Sequence, residues 1–161
     1  MKRILLFLVV LVIFIIPSIS AFAETNPASE DEYYISWEDF EKLEHSTYVN
    51  HLSDKSSGLI TYKSLNIAKS GNTLIVKGET RGSSDVVKCG FTYIKIQQYK
   101  NGSWSDYKTY NDLYSNSNKF STTKSITVAS GYKYRAIGQH YAKKSLLSTE
   151  KIKSTTSSLS F

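Results

Sequence analysis

Cysteine is almost missing from this 161-residue chain, which has only Cys89. One thiol cannot build an internal disulfide framework or a Cys-rich zinc module. Two prolines exclude collagen-like and Pro-rich classes. Arginine is scarce beside lysine, and beyond residue 23 only Arg81 and Arg135 occur. Bidentate reading of bases favours Arg, which argues against sequence-specific nucleic-acid binding. No G-x-S-x-G or H-E-x-x-H pattern is present. The expectation is therefore a chain that is not an enzyme, with no catalytic residue, cofactor or metal. After residue 16 no apolar run is long enough to span a bilayer.

The N-terminus reads as an export address. Lys2 and Arg3 precede an unbroken apolar run over residues 4–16. As a helix that run reaches about 20 Å, short of the roughly 30 Å hydrocarbon core. Pro17 and Ser18 break it, and Ala21-Phe22-Ala23 has the small-x-small pattern of a cleavage site. Residues 1–23 are expected to be a signal peptide cleaved after Ala23, and the mature protein to be secreted. The remaining 138 residues suffice for one core.

Charge is divided along what remains. Residues 24–54 hold nine acids and one base, Lys42; residues 55–161 hold 17 bases and five acids. Either the two parts are independently solvated, or the acidic part folds onto the basic one and competes with an anionic partner. The acidic segment is expected to be mobile apart from one short helix over residues 37–45. Ser36-Trp37-Glu38-Asp39 resembles a capping box, and Trp37, Phe40 and Leu43 follow at helical spacing.

From residue 55 onward Tyr, Thr, Ser, Ile and Val dominate, and Gly- or Asn-containing breaks recur about every ten residues. The pattern predicts an all-β domain over residues 55–161, an antiparallel β-sandwich of about seven strands with immunoglobulin or fibronectin type III character. Residues 58–62 and 65–68 read as separate short pieces. In residues 86–100 the apolar parity changes between Phe91 and Ile94, which calls for a bulge near residues 92–95 or burial of both faces. Asn101-Gly102 is a strong hairpin signal, and residues 111–118 read as a polar loop.

The run from Gly131 to His140, Gly-Tyr-Lys-Tyr-Arg-Ala-Ile-Gly-Gln-His, resembles the G-Y-x-Y-R-x-x-x-x-H signature of a family of small secreted proteins. They come from Gram-positive, spore-forming bacteria and have no assigned function. Gly78-Glu79-Thr80, Ile96-Gln97 and Trp104 match further features of that family. The resemblance covers roughly residues 57–155, departs from the family at Ile96 and Cys89, and implies a secreted β-sandwich without implying an activity.

Several residues are candidates for a site. His140 shares a face with Tyr132 and Tyr134; it is either a core histidine held by a tyrosine hydroxyl or backbone carbonyl, or a ligand contact at the end of the sheet. His45 and His51 lack metal-binding spacing. Cys89 is either a small core residue or the link of a disulfide dimer. Tyr99, Trp104, Tyr107 and Tyr110 are either cross-strand packing pairs or a flat platform for stacking sugar rings or bases. Arg135 and lysines spread over most strands suit salt-sensitive attraction to polyanions, or guard strand edges.

These readings point to a monomeric secreted binding module. Its expected partner is an anionic cell-wall polymer, a glycan or an extracellular protein. A secreted effector, such as a toxin, bacteriocin-like or immunity protein, is the alternative. N-terminal sequencing of exported protein should begin at Glu24; a chain beginning at Met1 would refute the cleavage.

Overall fold

The computed structural model describes residues 35–51 and 58–161. The expected signal peptide, its cleavage site and the acidic stretch up to residue 34 lie outside the described residues. One short helix and nine strands follow, α1 (Trp37–Glu41), β1 (Glu44–His51), β2 (Ile60–Ser70), β3 (Thr73–Gly82), β4 (Lys88–Lys100), β5 (Ser103–Ser115), β6 (Lys119–Thr127), β7 (Lys133–Lys143), β8 (Thr149–Thr155) and β9 (Leu159–Ser160).

Ser36 starts α1 by accepting the Asp39 amide on its hydroxyl at 3.0 Å. The helix ends at Glu41, short of residue 45, because the chain turns extended at Glu44 and pairs antiparallel with β2 along its whole length. A full strand ladder outweighs another helical turn in a segment containing Thr47, Tyr48 and Val49, all strong strand formers. The sheet thus begins upstream of residue 55.

The strands form two antiparallel sheets. One has the order β1-β2-β3-β6; the other runs β5-β4-β7-β8, with β9 also paired to β7. The two pieces at 58–62 and 65–68 are one continuous strand, β2. Polar residues 111–115 belong to β5 rather than a loop, because their pairing with β4 continues to Cys89↔Ser115. Gly90 permits that approach: its φ is +154°, and a Cβ there would collide with the Leu113 carbonyl oxygen. The hairpin at Asn101-Gly102 has both residues at positive φ, 52° and 80°.

The inner faces of the sheets meet in one core. Leu65, Ile67, Leu74 and Val76 come from one sheet; Phe91, Ile94, Ile96, Tyr134 and Ala136 come from the other. The parity change in β4 is resolved by a bulge at Thr92, where the register with β7 shifts between Phe91 and Tyr93. Phe91 and Ile94 therefore both point inward. A smaller cluster of Ile60, Val86, Cys89 and Ala142 extends the core. Cys89 is wholly buried, and burial pushes its thiol up to about 11, which leaves it protonated and shielded. The outer face of the β1-β2-β3-β6 sheet is covered by α1, with Phe40 on Ala68 and Ile75.

Phe91 spans the two layers. A Cβ on Gly78 would lie 2.7 Å from its ring, and one on Gly138 would lie 3.2 Å from it. Deleting the ring leaves a cavity; adding methyls to its slot forces the sheets apart. Phe91→Ala should lower stability by about 3–5 kcal/mol, and Gly78→Val by about 1–3 kcal/mol. Urea unfolding checks both, and a neutral result for either would mean that the slot is not close-packed.

Candidate functional site

The outer face of the β5-β4-β7-β8 sheet is built by alternation. Inward residues of β4 and β7 are mostly apolar or small, with His140 the buried polar exception, so their neighbours point out. Register then brings together side chains far apart in sequence. Trp104 lies opposite Tyr99, and Tyr99 opposite Lys133. Asp106, Gln97 and Arg135 form the next outward row. Lys95 stands beside Thr109 and Ile137. Tyr93, Gln139 and Lys153 follow, then Tyr114, Tyr141 and Lys151, and finally Lys88 and Lys143. Among the described residues, seven cations (Lys88, Lys95, Lys133, Arg135, Lys143, Lys151 and Lys153) share this face with two carboxylates, Asp106 and the Asp112 that hydrogen-bonds Tyr114. At about 3.3 Å per residue, the 13 residues of β4 make it roughly 40 Å long.

One end of the face is ordered by an interlocked group. The rings of Tyr99 and Trp104 lie 5.2 Å apart. The Arg135 guanidinium stacks 4.2 Å from the Trp104 ring. Its Nε and Nη2 donate to Gln97 Oε1 at 3.0 and 2.9 Å. Gln97 Nε2 donates to Asp106 Oδ1 at 2.8 Å, and Lys95 Nζ donates to Asp106 Oδ2 at 2.6 Å. The Gln97 amide and then Lys95 hold the Asp106 carboxyl below its usual range. Each end of this chain fixes a planar group against the sheet, so Arg135 and Trp104 present a set geometry to solvent. Further along, Lys88 Nζ lies 4.2 Å from the Tyr114 ring, which packs on Tyr141 at 5.2 Å.

The four aromatics of the expected platform do not share a face. β5 shifts register against β4 between Ile96 and Gln97, so Tyr107 stands opposite no β4 residue. Tyr99 and Trp104 lie on one side of that bulge. Tyr110 faces the core, buried, opposite Ile94, and Tyr107 packs edge-on to the inward Tyr134 at 5.4 Å. Lys95 is one of the lysines expected to attract polyanions, whereas Gln97 and Asp106 are not among the site candidates of the sequence. Counting back from the Asn101-Gly102 turn would have paired Asp106 with Gln97, but nothing local announces Arg135, which arrives from β7.

His140 lies away from this face, wholly buried, its ring 4.4 Å from Phe91. Its partner is Thr80 on the opposite sheet, rather than a tyrosine or a carbonyl, at 2.8 Å from Nδ1. Because the Thr80 hydroxyl donates to Gly90 O at 3.0 Å, it accepts from Nδ1–H, which assigns the proton to Nδ1. Nε2 is buried without a partner. Burial, and then the charge of Lys63, pushes the imidazole down to about 3. Among the described residues no three His, Cys, Asp or Glu side chains converge on a metal site, and no helix is long and apolar enough to cross a membrane. The chain matches no protein-family model, no curated protein and no solved structure.

The low value for His140 has a pH consequence. Between about pH 6.5 and 3 the unfolded histidine binds a proton that the folded one refuses. Stability therefore falls as pH drops through that window, at up to about 1.4 kcal/mol per pH unit from this residue. Denaturant midpoints for His140→Asn should change less between pH 7 and pH 4.5 than those of the parent. Equal slopes would mean that His140 charges freely in the folded state.

Proposed function

We propose that this protein is a secreted, non-enzymatic binding module of immunoglobulin/fibronectin type III-like architecture. It engages an anionic extracellular polymer, such as a cell-wall teichoic acid, along the outer face of the β5-β4-β7-β8 sheet. The observation that carries this reading is the concentration of seven cations against two carboxylates on a single face left uncovered by the described residues, interleaved with aromatic rings. The arrangement of β2-β3-β6 against β5-β4-β7-β8 supports the sandwich reading. The resemblance to secreted proteins of Gram-positive bacteria agrees with it.

The chemistry suits a flexible polyanion. Lysine ammonium groups are point charges without a preferred approach, so they attract phosphate repeats at many registers. The attraction is long-ranged at low salt and weak per contact when screened. The Trp104–Arg135 group adds a fixed site at one end, with a flat ring for a sugar and a guanidinium for a phosphate.

The reading is tested by pelleting the protein with washed Gram-positive walls, intact or stripped of teichoic acid, at low and high salt. Binding should need teichoic acid and fade with salt. Lys133→Gln with Lys151→Gln and Lys153→Gln should weaken it roughly tenfold, at about 0.5 kcal/mol per exposed ion pair. Binding that persists in high salt and disappears in Trp104→Ala would replace the polyanion with a neutral glycan. No pelleting under any condition would remove the envelope reading.

A further inference from the structure

A cavity lies on the opposite side of the molecule, between α1 and the outer face of the β1-β2-β3-β6 sheet. Its volume is about 240 Å³, and its lining includes Trp37, Phe40, Tyr62, Asn66, Glu79 and Arg81. A cavity of about 150 Å³ already admits a benzene-sized molecule. Asn66 is wholly buried, and neither its amide nitrogen nor its amide oxygen has a hydrogen-bond partner. Folded proteins satisfy buried amides, so an orphaned one lining a cavity marks the place of a missing partner.

The surrounding groups narrow what that partner is. Glu79 is nearly buried and binds Arg81 Nε at 2.6 Å and Lys119 Nζ at 3.4 Å, both on Oε1. The Arg81 guanidinium sits 4.7 Å from the Tyr62 ring. Trp37 is partly exposed at the mouth, where Lys77 Nζ lies 4.4 Å from its ring and donates to Ile35 O at 2.6 Å. The walls are therefore aromatic, and the polar groups are an amide, two carboxylates (Glu79 and Glu41) and a guanidinium, all planar with two-point geometry. An apolar ligand would leave Asn66 unpaired. An anionic ligand would meet two carboxylates, Glu79 and Glu41, and a cationic one would meet Arg81 in the lining and Lys77 at the mouth. A neutral ligand whose neighbouring hydroxyls both donate and accept suits all of these groups, while its C–H face stacks on an aromatic ring; because Asn66 is wholly buried, the side chains over it must yield to admit a hydroxyl.

We infer that this cavity binds a single neutral sugar ring, held by Asn66, Glu79 and Arg81 against Trp37. The site does not depend on the basic face of the other sheet. Its contribution is selection of a sugar unit, whereas the basic face responds to charge density.

Saturation-transfer NMR on the purified protein tests this, with methyl glucoside, methyl galactoside and N-acetylglucosamine at millimolar concentration. Phenol and glutamate are the apolar and charged controls. At least one sugar should receive saturation more strongly than either control. That signal should fall at least fivefold in Asn66→Ala and in Trp37→Ala, and persist in Trp104→Ala. Asn66→Ala loses no internal hydrogen bond and Trp37 is a surface residue, so both variants are expected to keep the wild-type circular dichroism. A loss of signal in Asn66→Ala accompanied by unfolding is decided by Trp37→Ala. Lack of transfer to all three sugars would overturn the inference. So would transfer that survives both variants, or preferential transfer to phenol or glutamate.

Discussion

The ring of Phe91 is the piece on which the two sheets are fitted together. It reaches from β4 towards Gly78 of the opposite sheet while lying beside Gly138 of its own, and both positions are bare of side chains where the ring passes. His140 stacks on the same ring, and Phe120 meets it edge-on at 6.3 Å. The bulge at Thr92 follows from this placement. Without an extra residue there, either Phe91 or Ile94 would point to solvent. The bulge also sets which residues beyond it face outward, so the exposed row of Tyr93, Lys95, Gln97 and Tyr99 depends on the packing of one buried ring.

The two sheets use their outer faces differently. One is covered by α1, whose Phe40 seals Ala68 and Ile75, and this cover makes β3 buried on both sides. Lys77 and Glu79 are drawn under the helix with it, each answered by a partner: the Ile35 carbonyl for Lys77, and Arg81 with Lys119 for Glu79. The other sheet has no such cover among the described residues. Its outward side chains are lysines and tyrosines, whose stems and rings shield the backbone while their polar ends stay in water. Charged outward residues also discourage edge-to-edge sheet pairing. The same composition thus serves solubility and, in the reading proposed above, attraction of a polyanion.

Polar groups inside the molecule divide by whether they find a partner. Thr80 joins the sheets by donating to Gly90 and accepting from His140, which makes it a hydrogen-bonded cross-tie through the core. Tyr134 is held at its hydroxyl by Gln98 and the Ala129 carbonyl. Asn66 has neither kind of support at either end of its amide, whereas Ser64 and Ser154 each leave one hydroxyl unpaired and His140 one ring nitrogen.

Alternation of residue type, the turn at Asn101-Gly102 and the parity break in residues 86–100 were enough to expect an all-β chain with a bulged central strand. These are local signals, with a period of two residues and a turn that needs positive φ. The Ser36 cap was legible for the same reason, since its partner lies three residues away. The tertiary structure alone decided the rest. Strand β1 forms because β2 offers it a ladder, and residues 111–115 are strand because β4 continues past them. Arg135 reaches Trp104, and Thr80 reaches His140, through registers set by packing across the whole sheet. The sequence shows that lysines are abundant; which face they share depends on strand order and on single-residue bulges, and a shift of one residue moves every later side chain to the other side.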